Sequence, residues 1–424
     1  MENKDFFNID IVEKKDFNKK SWNKKLICKI LIILIVLILL ILLIIFLLYL
    51  RKYTIMKEKI GYKESWNDLY GNRTINIPYF KNDKINNTFK KGGANYNNET
   101  IGEINNGKDY TKNERNYYDL YIPYSSTKKK DKYNGIILFI HGGGWINGQK
   151  ESLDFLCSRY AKMGYITATM GYTLLLEKYK EYNIFRILDE ITSCIKSIKE
   201  ELINQGFNET KLGIAIEGTS SGAHLAMLYG YSIKKTPIPI KFIINIVGPV
   251  TLTSDAWYKL NKKNDTLDNI EPEDIEKAIT DNKIVKMDIN STLLEIMNVF
   301  IGKKYNNKQL KGMIKGKDIN IDNEDYQNLY KNVKNGFPVN FINNNTLPTL
   351  CIYGGNDDAV GVAQYSKLKK LFKENKRKIE LVYMRYGGHM LLSPDTENGV
   401  NAMRKIHYKI LNFSSLYFTN NKPS

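Results

Sequence analysis

The segment Leu212-Gly213-Ile214-Ala215-Ile216-Glu217-Gly218-Thr219-Ser220-Ser221-Gly222-Ala223-His224-Leu225-Ala226 constrains this chain more than any other. It opens as a short apolar strand, turns through Gly218 and Gly222, and continues as a helix rich in Ala and Leu. The centre, Gly218-Thr219-Ser220-Ser221-Gly222, fits G-x-S-x-G, in which a strained strand-to-helix turn lifts a serine hydroxyl clear of a sheet. A side chain two residues to either side would meet the neighbouring strand or helix, so glycine stands there. The helix that follows points unpaired N–H groups at the charge that develops when the serine attacks. This spacing marks Ser220 as a nucleophile. Alone, so short a motif arises often by chance; the strand before it and the helix after it raise it above that level.

The flanking sequence repeats the same rhythm. Tyr117 to Pro123 alternates as a strand ended by proline, and Ile136 to Ile140 reads as a buried strand. Residues 152–163 are helical in pattern, Tyr165 to Met170 a strand, and residues 183–204 a long amphipathic helix. After the elbow helix come a strand over Phe242 to Val247, another over Pro348 to Tyr353, a helix near 362–374, a strand over Ile379 to Met384 and a last helix near 396–411. Alternating apolar strands and helices predict an α/β fold, a mostly parallel sheet with helices on both faces. Residues 252–345 interrupt the rhythm with helical patches (272–280, 292–300) and Asn- and Lys-rich loops. Their length exceeds a crossover, so they are expected to form a lid insertion.

Upstream, Ile30 to Leu50 is an unbroken apolar run. Twenty-one helical residues reach about 31 Å, the depth of a bilayer core. A buried helix rarely runs so far without a polar residue. A signal peptide has a shorter apolar region and small residues at its cleavage site, whereas this run ends Leu47-Leu48-Tyr49-Leu50-Arg51. A retained transmembrane helix, a signal-anchor, is expected. Lysines 14, 15, 19, 20, 24, 25 and 29 precede it, against Arg51, Lys52, Lys57, Lys59 and Lys63 after it. That excess favours a cytoplasmic N-terminus and a catalytic domain on the lumenal or extracellular side. The expected division is a basic tail (1–29), the membrane anchor (30–50), a polar linker or lid segment (51–114), a catalytic domain (115–412, with the insertion 252–345) and a polar tail (413–424).

The net charge of +18 raises nucleic acid as a partner. No binding motif accompanies it, and the lysines are scattered among asparagines, so no nucleic-acid partner is expected. The four cysteines, 28, 157, 194 and 351, lack metal-ligand spacing. No metal or organic cofactor is implied, and composition leaves a single Cys157–Cys194 bond open.

Three further loops follow strands. His141-Gly142-Gly143-Gly144 comes about eighty residues before the elbow; its glycines let backbone N–H groups face a carbonyl oxygen. A phosphate loop would need a Lys–Ser/Thr pair entering a helix, which is absent. An HGGG-type loop is the usual oxyanion-hole partner of G-x-S-x-G. Gly354-Gly355-Asn356-Asp357-Asp358 places a carboxylate at a strand end, where open α/β sheets build their sites. Gly387-Gly388-His389 offers an imidazole in a loose loop. The order Ser220, Asp357, His389 is that of α/β-hydrolase triads.

On these residues the chain resembles the α/β-hydrolase superfamily. It is most similar to HGGG-type serine esterases and lipases, the branch of hormone-sensitive-lipase-like carboxylesterases, feruloyl-esterase-like enzymes and isoprenylcysteine methylesterases. The residues that carry the resemblance are His141-Gly142-Gly143-Gly144-Trp145 with Gly148, Gly218 to Ala226, Tyr353 to Val360, and Gly388-His389. The resemblance implies Ser220 as nucleophile, His389 as general base and Asp357 as its partner. It also implies an oxyanion hole from the N–H groups of Gly143, Gly144 and Ser221. Relatives commonly carry Ala where this chain has Ser221, and D-Y-R where it has Gly171-Tyr172-Thr173. The activity implied is hydrolysis of a small-molecule or lipid carboxylic ester. A thioesterase, an amidase or peptidase, or a lipid acyltransferase would use the same triad. A non-catalytic binding protein of this fold would be expected to lack a triad member.

Overall fold

The computed structural model describes residues 71–79, 115–130, 132–175, 183–261, 275–384, 387–391 and 397–419, together with Ile33. The chain divides between Glu58 and Lys59, and all the described residues but Ile33 belong to the second unit. The expected anchor, Ile30 to Leu50, therefore lies outside the described residues apart from Ile33. Among the described residues no helix is long and apolar enough to cross a membrane.

Eight strands form one sheet: β1 (Gly71–Pro78), β2 (Tyr117–Pro123), β3 (Ile136–Ile140), β4 (Ile166–Met170), β5 (Ile214–Thr219), β6 (Ile240–Ile246), β7 (Thr349–Gly354) and β8 (Ile379–Met384). Their spatial order is β1-β2-β4-β3-β5-β6-β7-β8. Only β2 runs against its neighbours; every pairing from β4 to β8 is parallel. A parallel sheet is covered on both faces, so its strands are continuous apolar runs. In β3, alternate residues serve opposite layers. Ile136, Leu138 and Ile140 join one apolar cluster and Ile137 and Phe139 the other.

The first cluster is closed by helix α2 (Ile184–Asn204), the elbow helix α3 (Ser221–Ser232) and the insertion. Asn183 caps α2 by accepting from Phe185 N and Arg186 N, so the helix begins where the sequence indicates. The second cluster is closed by α1 (Asp154–Lys162), and by the helix over Glu397–Thr419. Burying each Leu or Ile side chain of these layers is worth about 1.5–3 kcal/mol.

The boundaries differ from the expected ones in two places. Residues 71–78, inside the expected linker or lid segment, are the edge strand β1. Their exposure is high, as befits a polar edge that discourages pairing with other chains. The last helix runs to Thr419, well into the expected polar tail, because Phe413 and Phe418 pack edge-on against Phe242. The insertion holds more structure than the two helical patches foreseen. It contains helices Ile275–Thr280, Asn290–Phe300, Asn307–Gly312 and Glu324–Val333, and two short antiparallel strand pairs. Cys157, Cys194 and Cys351 are all free and buried. Cys157 and Cys194 sit in different apolar clusters, which closes the question of a bond between them.

Candidate active site

Ser220 follows β5 directly and has φ +54° and ψ −121°, a conformation that side-chain-bearing residues rarely adopt. The strain is held by its neighbours: Ser220 N donates to Ile246 O at 2.8 Å, and His224 N donates to Ser220 O at 3.1 Å. The two glycines of the motif are needed for space. A Cβ on Gly218 would lie 2.2 Å from Gly222 O, and one on Gly222 would lie 2.1 Å from Ile140 O.

His389 comes from the loop after β8 and Asp357 from the loop after β7. These loops are stitched together: Gly355 N donates to Met384 O and Asn356 N to Gly387 O, both at 2.9 Å. Gly354 is packed so close that a Cβ would stand 2.2 Å from Gly387 O. The result is a chain of three side chains. His389 Nε2 lies 3.0 Å from Ser220 Oγ, and His389 Nδ1 lies 2.9 and 3.1 Å from the two oxygens of Asp357. A hydroxyl that donates to Nε2 leaves Nδ1 to carry the proton and donate to the carboxylate. Asp357 is buried, and its Oδ1 also accepts from Ala359 N and Val360 N at 2.9 and 2.8 Å. Val360 is buried beside it, whereas Asp358 is exposed. Asp358 does not cap the following helix, Ala363–Glu374, whose N-terminus has no side-chain cap.

The glycine loop lies against the elbow. A Cβ on Gly142 would stand 2.9 Å from Thr219 O and 3.2 Å from the Cβ of Ser220. Gly143 (φ +120°) and Gly144 (φ +60°) turn in conformations open to glycine, and Gly143 O accepts from Ile146 N and Asn147 N. Among the described residues, no hydrogen bond engages the N–H of Gly143 or Gly144. Ser221 is the first residue of α3, where helix N–H groups have no partner within the helix.

His141 is a structural member of this loop. Its ring stacks on Tyr172 at 4.2 Å, its Nδ1–H donates to Gly142 O at 2.8 Å, and burial lowers its pKa to about 4. Tyr172 OH, from the tyrosine kept in common with D-Y-R, donates to His141 O at 3.1 Å and so supports the loop. Thr173 is anchored through its N and Oγ1 on the buried Glu190, which also takes Arg186 Nε at 2.9 Å. Glu190 and Arg186 fall in no sequence motif. Among the described residues no group of His, Cys, Asp or Glu side chains could hold a metal ion.

The family model BD-FAE matches residues 118–372, more than half of the chain. The chain belongs to the BD-FAE family. It is thereby an α/β-hydrolase-type serine esterase, an enzyme acting on ester bonds. The match takes in the glycine loop, the elbow and Asp357 and stops short of His389. No curated protein matches the chain. Among solved structures, this BD-FAE chain is similar to a truncated carbohydrate esterase from gut microbiota, at 15% identity and a TM-score of 0.50, covering 84% of this chain and 100% of that one. It is also similar to esterase B from Lactobacillus rhamnosis inhibited by a C4-C4 SN3 tributyrin phosphonate, at 13% identity and a TM-score of 0.50, covering 87% and 91%. At such identities the likeness concerns the fold.

Proposed function

We propose that this BD-FAE enzyme hydrolyses a carboxylic ester through Ser220, His389 and Asp357, by way of an acyl-enzyme. The single observation that carries the reading is the hydrogen-bonded series Ser220–His389–Asp357 with the glycine loop packed against the serine. His389 Nε2 takes the hydroxyl proton as Ser220 Oγ attacks the ester carbonyl. Asp357 holds the proton-bearing Nδ1 and stabilises the imidazolium. The N–H groups of Gly143, Gly144 and Ser221 receive the charge that builds on the carbonyl oxygen. His389 then returns the proton to the departing alcohol, leaving an acyl group on Ser220. Water, deprotonated by the same imidazole, attacks that acyl group and frees the acid.

The domain layout belongs to the same reading. Residues 30–50 anchor the enzyme as a single membrane span with the basic tail in the cytoplasm, and residues 252–345 act as a lid that shapes the acyl or alcohol site. The apolar run and the flanking lysines support the anchor. A panel of p-nitrophenyl esters, acylglycerols, acylated sugars, thioesters and peptides tests the chemistry. Turnover of oxygen esters is expected to lead; thioester or peptide turnover ahead of every oxygen ester would contradict it. For the anchor, the full chain is expected to stay with membranes through an alkaline carbonate wash, and its release at intact mass would refute the span.

A further inference from the structure

His224 sits one helical turn after Ser220 and is wholly buried. Both of its ring nitrogens are engaged. Nε2 lies 2.8 Å from Gly336 O, and because a carbonyl only accepts, Nε2 carries the proton. Nδ1 is then a lone pair, and the indole N–H of Trp145 donates to it at 3.2 Å. This fixes one neutral tautomer, and burial lowers the imidazole pKa to about 3, so the ring stays neutral where esterases work.

One ring therefore joins three parts of the molecule. It belongs to the elbow helix, it holds the residue after Gly144, and it holds the insertion through Gly336. Phe300 of the insertion closes the cluster, with ring centroids 4.9 Å from Trp145 and 5.4 Å from His224. Gly336 leaves little room for a side chain: a Cβ there would meet Phe300 at 3.2 Å and Ile184 at 3.4 Å. Trp145 itself has φ +64°, a costly conformation for a bulky residue. Such strain persists only when the surroundings impose it. Here the imposing contacts are the indole bond to His224 and the bond from Leu175 N to Trp145 O at 2.9 Å.

We propose that His224 is a positioning residue whose bonds to Trp145 and Gly336 set the oxyanion loop and make its geometry depend on the seating of the insertion. This rests on the reading of Ser220 as nucleophile and of Gly143 and Gly144 as oxyanion donors. Without the indole bond the backbone at Trp145 relaxes toward negative φ and carries the adjoining Gly144 N–H off its aim. A misplacement near 1 Å costs on the order of 10² in rate. Because the donors matter most when the oxygen is charged, the loss falls on kcat and spares KM.

The test uses the full chain. Trp145→Phe keeps an aromatic ring against Phe300 and removes the N–H donor along with part of the bicycle. His224→Phe removes both bonds, and Gly336→Ala leaves both bonding groups in place but presses on Phe300 and Ile184. Each is measured for kcat, for KM, for the stoichiometry of fluorophosphonate labelling at completion and for inhibition by a trifluoromethyl ketone, which binds as an oxyanionic hemiketal. For Trp145→Phe the expectation is kcat lower by about 10- to 100-fold with KM within about threefold, full labelling stoichiometry, and a ketone Ki raised in step with the fall in kcat/KM. Gly336→Ala should show the same pattern more weakly. Unchanged kcat and Ki in Trp145→Phe would overturn the proposal. So would a loss explained by fewer labelled sites, which is the mark of a packing role. Activity and labelling that survive in Ser220→Ala would instead sink the underlying reading. An inert Ser220→Ala beside a fully active Trp145→Phe would remove only the positioning role.

Discussion

Glu217 is a carboxyl group where the fold offers it little. It lies on β5 between Phe139 and Ile244, in the layer that includes Ala215, Cys157 and Tyr160. It is 2% exposed, and its Oε2 has no hydrogen-bond partner among the described residues. Burial disfavours the charged form and pushes its pKa up to about 8. In the unfolded chain the group ionises near the ordinary 4.5. Between those two values the folded state holds a proton that the unfolded state has released, so stability falls as pH rises, by about 1.4 kcal/mol per pH unit. The loss levels off above pH 8, where both states are ionised. From pH 5.5 to 8.5 the group costs about 3 kcal/mol of stability. Glu217→Gln keeps the shape and removes the ionisation. Urea unfolding of wild type and variant, followed by tryptophan fluorescence at pH 5.5 and 8.5, isolates this effect because every other group cancels in the difference. The variant should gain about 3 kcal/mol relative to wild type over that interval. Parallel pH profiles would refute the reasoning and show that Glu217 ionises normally in the fold.

Asp357→Asn should lower kcat by about 10⁴, the scale for a base left in the wrong tautomer, while Asp358→Asn stays within about tenfold of wild type; kinetics of both variants on one activated ester decide it. Gly222→Ala should fail to form the elbow, since its Cβ would fall 2.1 Å from Ile140 O; recovery of a soluble variant with wild-type kcat would contradict that. Substitutions lining the site from residues 252–345 should shift the preferred acyl-chain length more than they lower kcat on the best ester. A chain-length series read on wild type and variants checks this, and an unchanged profile would remove the insertion from specificity.

The parts of the fold that were legible in the sequence are those whose physics is local. β3, β5 and β7 are short apolar runs ending in glycine loops, and such runs between helical patterns have few other readings. The meeting of Ser220, Asp357 and His389 was legible because each sits in a glycine-bearing loop at a strand end, and the parallel sheet brings those ends to one rim. β1 was not legible: Asn72, Arg73, Thr74 and Asn76 carry the look of a linker because an edge strand needs no apolar face toward solvent. The last turns of the final helix were not legible because Phe413 stands among Asn412, Ser414 and Ser415, and Phe242, the partner of Phe413 and Phe418, lies far away in sequence. The Trp145–His224–Gly336 bonds span separations of 79 and 112 residues. Their only trace in the sequence is that His224, one of four histidines, falls beside the nucleophile.

The most direct test of the central claim is the site of covalent capture. The full chain is treated with a fluorophosphonate probe, digested, and the adduct located by tandem mass spectrometry. A single adduct on Ser220 is expected, abolished by Ser220→Ala and retained by Ser221→Ala. An adduct on Ser221 or on any other residue, or labelling that persists in Ser220→Ala, would contradict it.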